Sequence, residues 1–253
     1  MKIVISPAKS LDFESSLPTA QYSVPAFLKE SERINKVLSK KSPRSLMRLM
    51  NISTQLADVN WERNQQFKLP FLPENARPAI YAFNGDVYLG LDAYTLPEEK
   101  IANMQDSLRI LSGLYGILKP LDLIQPYRLE MGTSLKIGRK KNLYEFWRAT
   151  LTNALNEELE EGEMLINLAS NEYFSALDAK KIKGPIITPI FKDWKNDKLK
   201  VLSFFAKKAR GAMVRYLIES DAKSLDDLRG FTGNDYQFSK EHTLKEHQPV
   251  FIR

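Results

Sequence analysis

The stretch LRILSGLYGILKPLDLIQPYRLEMG, residues 108–132, sets Gly113, Gly116 and Pro120 inside an otherwise apolar run. Proline interrupts either kind of regular backbone ladder and glycine turns the chain without steric cost, so neither one long helix nor one long strand can span it. The fold must reverse here while staying apolar on both sides. Residues 111–116 have the apolar-x-Gly-apolar-x-Gly form of a turn between two helices, where bare amides at a helix start suit an anion. The same residues also suit a plain turn packed inside the core, and the spacing leaves both readings open.

Around this stretch, short apolar runs alternate with helical patterns. Ile3, Val4 and Ile5 read as a buried strand ended by Pro7, MLINLA (164–169) as another, and 186–191 and 200–205 as two more joined by a polar turn. AIYAF (79–83), followed by Asn84, Gly85 and VYLGL, has the pattern of a hairpin closed by an Asn-Gly turn. Phe27, Leu28, Ile34, Val37 and Leu38 keep an approximate 3.6-residue period, and Pro43 restarts the helix. Leu143, Phe146, Trp147, Leu151 and Leu155 form a second stripe that stops at Gly162. Strands alternating with helices, with at least one hairpin among them, predict a single α/β domain over 1–253 with a mixed sheet flanked by helices.

Several function classes lose their markers. The chain has no cysteine, which removes disulfides, zinc ribbons, iron–sulfur ligation and thiolate catalysis. His242 and His247 lie five apart without metal-ligand spacing, and no GxGxxG, P-loop or G-x-S-x-G occurs, so neither a metal nor a cofactor is expected. No apolar run approaches the roughly 18 residues needed to span a bilayer, and MKIVISPAKS is too short for a signal-peptide core. A cytoplasmic protein without membrane contact is expected. Lysine and arginine number 37 against 31 acidic residues, and this excess of +6 permits a phosphorylated partner without requiring one.

The candidate chemistry sits at strand ends. Ser6 and Lys9 follow the first strand, Asp86 follows AIYAF, and Ser170, Asn171 and Glu172 follow MLINLA. If those strands are parallel neighbours, their loops meet in one crevice. FFAKKARGAMVRYLIES (204–220) reads as a strand running into a helix, with Lys207, Lys208 and Arg210 in the first turn and Arg215 on the same side. Cations there oppose the helix dipole by about 0.3 to 1 kcal/mol each, a penalty that an anion held between them reverses. Each residue also has a plain role as a turn former, a cap or a surface charge.

Taken together, ISPAKSLDF, FNGDVYLGL, LSGLYGILKPLDLIQPYRLEMG, INLASNEYF and SFFAKKARGAMVRYLI, in this order between residues 3 and 218, resemble the YaaA family of bacterial peroxide-stress proteins. The resemblance implies a cytoplasmic protein made when hydrogen peroxide accumulates, which limits damage by keeping free intracellular iron low. It also implies DNA binding through a basic cleft and a helix-hairpin-helix element within a family-specific fold; because glycine amides and Lys or Arg hold phosphates without reading bases, non-specific binding of double-stranded DNA is expected, and the chain is expected to be a monomer. Carried onto this chain, the hairpin falls at 111–118 with Gly113 and Gly116, and the cleft draws on Ser6, Lys9, Arg128, Lys207, Lys208, Arg210 and Arg215. Residues 231–253 lie outside the resemblance and are expected to be peripheral. The competing expectation is an enzyme acting on a nucleotide or other phosphorylated small molecule in the same cleft, with Lys9, Asp86 and Glu130 for acid–base work. A third expectation, direct iron uptake, would need Asp86, Asp122 and Glu130 to converge.

Overall fold

In a computed structural model covering residues 1–253, the first apolar run becomes strand β1 (Lys2–Ile5), the middle strand of a five-stranded sheet. On one side it pairs in parallel with β2 (Leu108–Ser112), Ile3 opposite Leu108, and β2 continues into antiparallel β3 (Gly116–Leu118). On the other side it pairs in parallel with β4 (Leu165–Asn167), Ile3 opposite Ile166, and β4 pairs with β5 (Ile186–Ile187). Strands covered on both faces read as unbroken apolar runs, which is why IVI and LIN lack alternation.

A second sheet, in the order β7-β6-β9-β8, is built from β6 (Ile190–Lys195), β7 (Lys198–Lys200), β8 (Gln237–Phe238) and β9 (Val250–Ile252). Residues 231–253, expected to be peripheral, supply two of its strands. They also supply Phe231, Tyr236 and Phe251, all fully buried around Phe191. A single apolar cluster runs from Ile3 through Phe251.

Helices cover these sheets. α1 (Leu28–Leu38) leads into α2 (Pro43–Met50) and α3 (Thr54–Gln66), each of the last two started by a serine whose hydroxyl accepts a backbone N–H: Ser42 from Ser45 and Ser53 from Leu56. α4 (Asp86–Leu91), α5 (Leu143–Glu158), α6 (Asn171–Phe174) and α7 (Ser203–Glu219) follow. Asn142 caps α5 through Glu145 N–H at 2.9 Å. The methionines sit inward: Met50, Met104, Met131 and Met213 are buried, and Met1, Met47 and Met164 are half-buried.

Three expectations are corrected. Residues 111–118 form no helical hairpin; they are the end of β2, a three-residue loop and β3, every residue buried. Gly116 takes φ +73 with its α-carbon against the Trp147 ring, and a methyl on Gly113 would collide with the Leu129 carbonyl. Both glycines are buried and serve core packing. Second, AIYA is a buried helical turn, and VYLGL belongs to helix α4 instead of a returning strand. Gly85 is extended at φ −172, so the Asn-Gly pair lacks the left-handed geometry a tight hairpin needs. What replaces the hairpin is a close crossing of α4 and α7: Gly90 lies on the Lys208 carbonyl and Gly211 on the Val87 carbonyl. Third, α7 begins at Ser203, so Phe204 and Phe205 are helical and Lys207, Lys208 and Arg210 occupy its second and third turns. The dipole penalty argued for a first turn therefore largely lapses.

Candidate functional site

β1 and β4 run side by side in the same direction, so the residues leaving their C-terminal ends are neighbours. Ser170 donates its backbone N–H to Ser6 Oγ at 2.9 Å, and the two hydroxyls lie 3.2 Å apart. Tyr88 Oη, from α4, donates to the Ser6 carbonyl at 3.1 Å and ties that helix to the strand end. β1 has a parallel partner on each side, β2 and later β4, and open α/β sheets hold ligands at such switch points.

A cavity of about 510 Å³ opens there, bounded by Ser6, Lys9, Ser170 and Glu172 from the strand ends. Asp86 from α4, Lys207 and Arg210 from α7, and Glu130 from the 126–132 segment close it. The glycine crossing lets α4 and α7 approach closely enough to set Asp86 beside the two cations. This volume falls within the range of about 300 to 1,000 Å³ typical of small-ligand sites.

The lining is balanced in charge, with Lys9, Lys207 and Arg210 against Asp86, Glu130 and Glu172. Lys9 Nζ meets Glu130 Oε1 at 3.1 Å, and Arg128 donates to the same oxygen at 3.2 Å. Glu130 Oε2 is buried without a partner, as is Arg128 Nε. Glu172 is occupied in structure, its Oε1 accepting the Gly132 N–H at 2.9 Å. Neither Lys207 nor Arg210 makes an ion pair, but Lys207 is exposed, whereas Arg210 has its Nε buried and unpartnered, and burial pushes its guanidinium pKa down from the usual value. Arginine stays charged even so, which leaves a withdrawn cation facing the cavity with no counterion. At the cavity wall, Tyr88 and Tyr173 are held as neutral phenols, burial having raised both above the ordinary tyrosine range.

The structure thus brings Ser6, Lys9, Asp86, Glu130, Ser170, Lys207 and Arg210 to one cavity, with Arg128 one hydrogen bond behind them. It separates others. Lys208 is exposed outside the cavity lining. Arg215 clamps the end of α4, donating to the Leu91 and Asp92 carbonyls and pairing with Glu219 at 2.9 Å. Asp122 is buried with Ser23 at 2.6 Å, its pKa raised by burial, and does not join Asp86 and Glu130. Asn171 is exposed and merely starts α6. Residue reasoning missed Arg63 and Lys68, which flank a neighbouring groove of about 470 Å³ with Gln125 and Pro126. Arg63 lies near enough to Arg128 to have its pKa lowered by that charge as well as by burial, and nothing in its sequence neighbourhood marks it.

Fold and site together define an α/β protein with a cleft of about 510 Å³, lined by charges of both signs, at the switch point of a mainly parallel sheet. More narrowly, the chain belongs to the family described as peroxide stress protein YaaA, whose family model matches residues 1–242. It is 61% identical over 253 residues to a UPF0246 protein of Flavobacterium johnsoniae, covering 100% of both chains. A UPF0246 protein of Flavobacterium psychrophilum is 61% identical over 248 residues, covering 96% of this chain and 98% of the relative. One from Alteromonas mediterranea is 53% identical over 255 residues, at 100% and 98% coverage.

Proposed function

We propose that the peroxide-stress role of this chain is exercised on DNA, bound through its phosphates and without sequence preference. The observation that carries this reading is Arg210, a half-buried side chain whose Nε is fully buried and which has no carboxylate partner, lining the cavity with Lys207. Leaving a charge unpaired and partly desolvated is costly, and a phosphate oxygen pair is the partner whose geometry matches the guanidinium fork. Basic residues continue the path: Lys9 and Arg128 share Glu130, and Arg63 neighbours Arg128 beside Lys68. A full duplex does not enter a cavity of this volume, so the site takes one strand's phosphates at its mouth. Lowered free iron then follows from the bound state of DNA, and no iron ligation by this chain is invoked.

Salt-dependent fluorescence anisotropy on a labelled duplex tests it. Each phosphate neutralised contributes about 0.9 to the slope of log affinity against log salt, so Lys207→Ala with Arg210→Ala should flatten the slope by about 2. Binding unchanged in that double variant would remove the reading.

A second reading, an enzyme acting on a nucleotide or other phosphorylated small molecule, is favoured by the 3.1 Å Lys9–Glu130 pair and the balanced lining. Opposed charges suit acid–base chemistry better than they suit a polyanion. Calorimetric titration with mononucleotides and inorganic pyrophosphate separates the two: saturable 1:1 binding that duplex DNA does not displace supports the enzyme.

A further inference from the structure

We infer that a second surface of the molecule, the groove between α1 and the turn before α5, is a docking site for the backbone of duplex DNA. The inference rests on the DNA reading above and extends it to a different set of residues. The groove holds about 460 Å³ and is lined by Arg33, Lys36, Lys40 and Lys41 along one wall, with Ile137 and Gly138 forming the other and no carboxylate in between. Arg33 and Lys36 lie three apart on α1 and so share a face, and Lys40 and Lys41 follow just beyond its end at Leu38.

The opposite wall is a tight turn in which Ile137 and Lys140 exchange backbone hydrogen bonds, each 3.0 Å. That turn fixes its own backbone and leaves Lys136, Arg139, Lys140 and Lys141 exposed. Four cations therefore line the groove and four more stand on the turn that forms its other wall, and none of the eight takes part in any ion pair of the structure. Arg33 rests its guanidinium over the Phe146 ring at 5.4 Å, which orients it without neutralising it. Like charges at such density repel and lower stability, so the arrangement is best satisfied by a polyanion.

Of the polyanions, duplex DNA fits this surface. A membrane surface would call for an apolar anchor beside the cations, and no large exposed apolar side chain lies in 28–41 or 133–141. A folded acidic protein would likewise need an apolar centre to its interface. A duplex needs only cations spread over both walls, since it presents a charge about every 1.7 Å along its axis. Helix α5 links the groove to the cleft. Asn142 starts α5 directly after the basic turn, and Tyr144 on its first turn donates to the carbonyl of Glu172, a cleft residue, at 3.0 Å.

The test is anisotropy with a labelled duplex across a salt series, using the full chain and the variant Lys36→Gln/Lys40→Gln/Lys140→Gln/Lys141→Gln. All four positions are exposed, so folding is unaffected. A control, Lys180→Gln/Lys183→Gln/Lys223→Gln/Lys245→Gln, removes the same charge elsewhere. The groove variant should lose 3 to 4 from the salt slope, at about 0.9 per contact, and at least about tenfold in affinity. The control should keep the wild-type slope. An equal loss in both variants would show a mere net-charge effect and overturn the inference. So would a groove variant that binds duplex normally but no longer binds phosphatidylserine vesicles. If Lys207→Ala/Arg210→Ala weakens binding while the groove variant does not, the groove inference falls and the cleft reading stands. If only the groove variant weakens it, the reverse holds.

Discussion

Gly211→Ala is a change that looks harmless on paper, since alanine favours a helix interior over glycine by roughly 1 kcal/mol. The structure demands the opposite outcome. A methyl group at position 211 would overlap the Val87 carbonyl oxygen and lie 2.7 Å from the Leu91 amide nitrogen, the acceptor and donor four residues apart that hold the short helix α4. Both obstacles are backbone and cannot rotate aside. Overpacking of this kind costs about 1 to 3 kcal/mol and more where nothing yields, so after the propensity gain a net loss of about 2 kcal/mol is expected. For a chain of this size each kcal/mol lowers Tm by about 2 to 4 °C, a fall of roughly 4 to 8 °C. Because Asp86 begins α4 while Lys207 and Arg210 lie on α7, parting the helices also widens the cleft and weakens phosphate binding. Calorimetric melting and titration with inorganic pyrophosphate read the two effects separately. Gly162→Ala is the comparison: Gly162 has φ +75 with nothing within 4 Å, so strain alone lowers stability and binding is untouched. A Gly211→Ala protein as stable as the parent, or more stable, would refute the close crossing.

Glu130→Gln removes the carboxylate shared by Lys9 and Arg128 and should raise the affinity for pyrophosphate several-fold in the same titration; a weaker complex would mean that Glu130 orients those cations toward the ligand. Asp12, whose carboxylate accepts from Ser15 and Glu14, has its pKa lowered from 3.8 to about 2. A depressed carboxylate pKa contributes stability that is complete above the unfolded value and lost as pH falls through the folded one. Urea unfolding between pH 5 and pH 2 should therefore show a smaller acid-induced drop in Asp12→Asn than in the parent, with identical slopes marking failure.

The strand ends were legible because they depend on local rules. An apolar triplet bounded by proline, and MLINLA ahead of Ser170, state buried strands outright, and once those strands pair in parallel Ser6 and Ser170 have to meet. The Asn-Gly reading failed for a non-local reason: Gly85 and Gly90 belong to a helix entry and a helix crossing, and the partner that makes a helix worthwhile, Gly211, lies far along the chain. Gly113 and Gly116 misled in the same manner, since glycine next to apolar residues marks close approach as readily as it marks a bare amide. What they approach, Leu129 and Trp147, is settled by tertiary packing. Arg33, Lys36, Lys40 and Lys41 carry no motif in the sequence, and only tertiary packing gathers them around one groove with Ile137 and Gly138.

Sulfur is the side-chain element that hydrogen peroxide attacks most readily, as thiolate in cysteine and as thioether in methionine. A chain without cysteine, whose Met104, Met131 and Met213 are wholly shielded from solvent, offers that oxidant few places to begin. So small an oxidisable surface accords with membership of a peroxide-stress family.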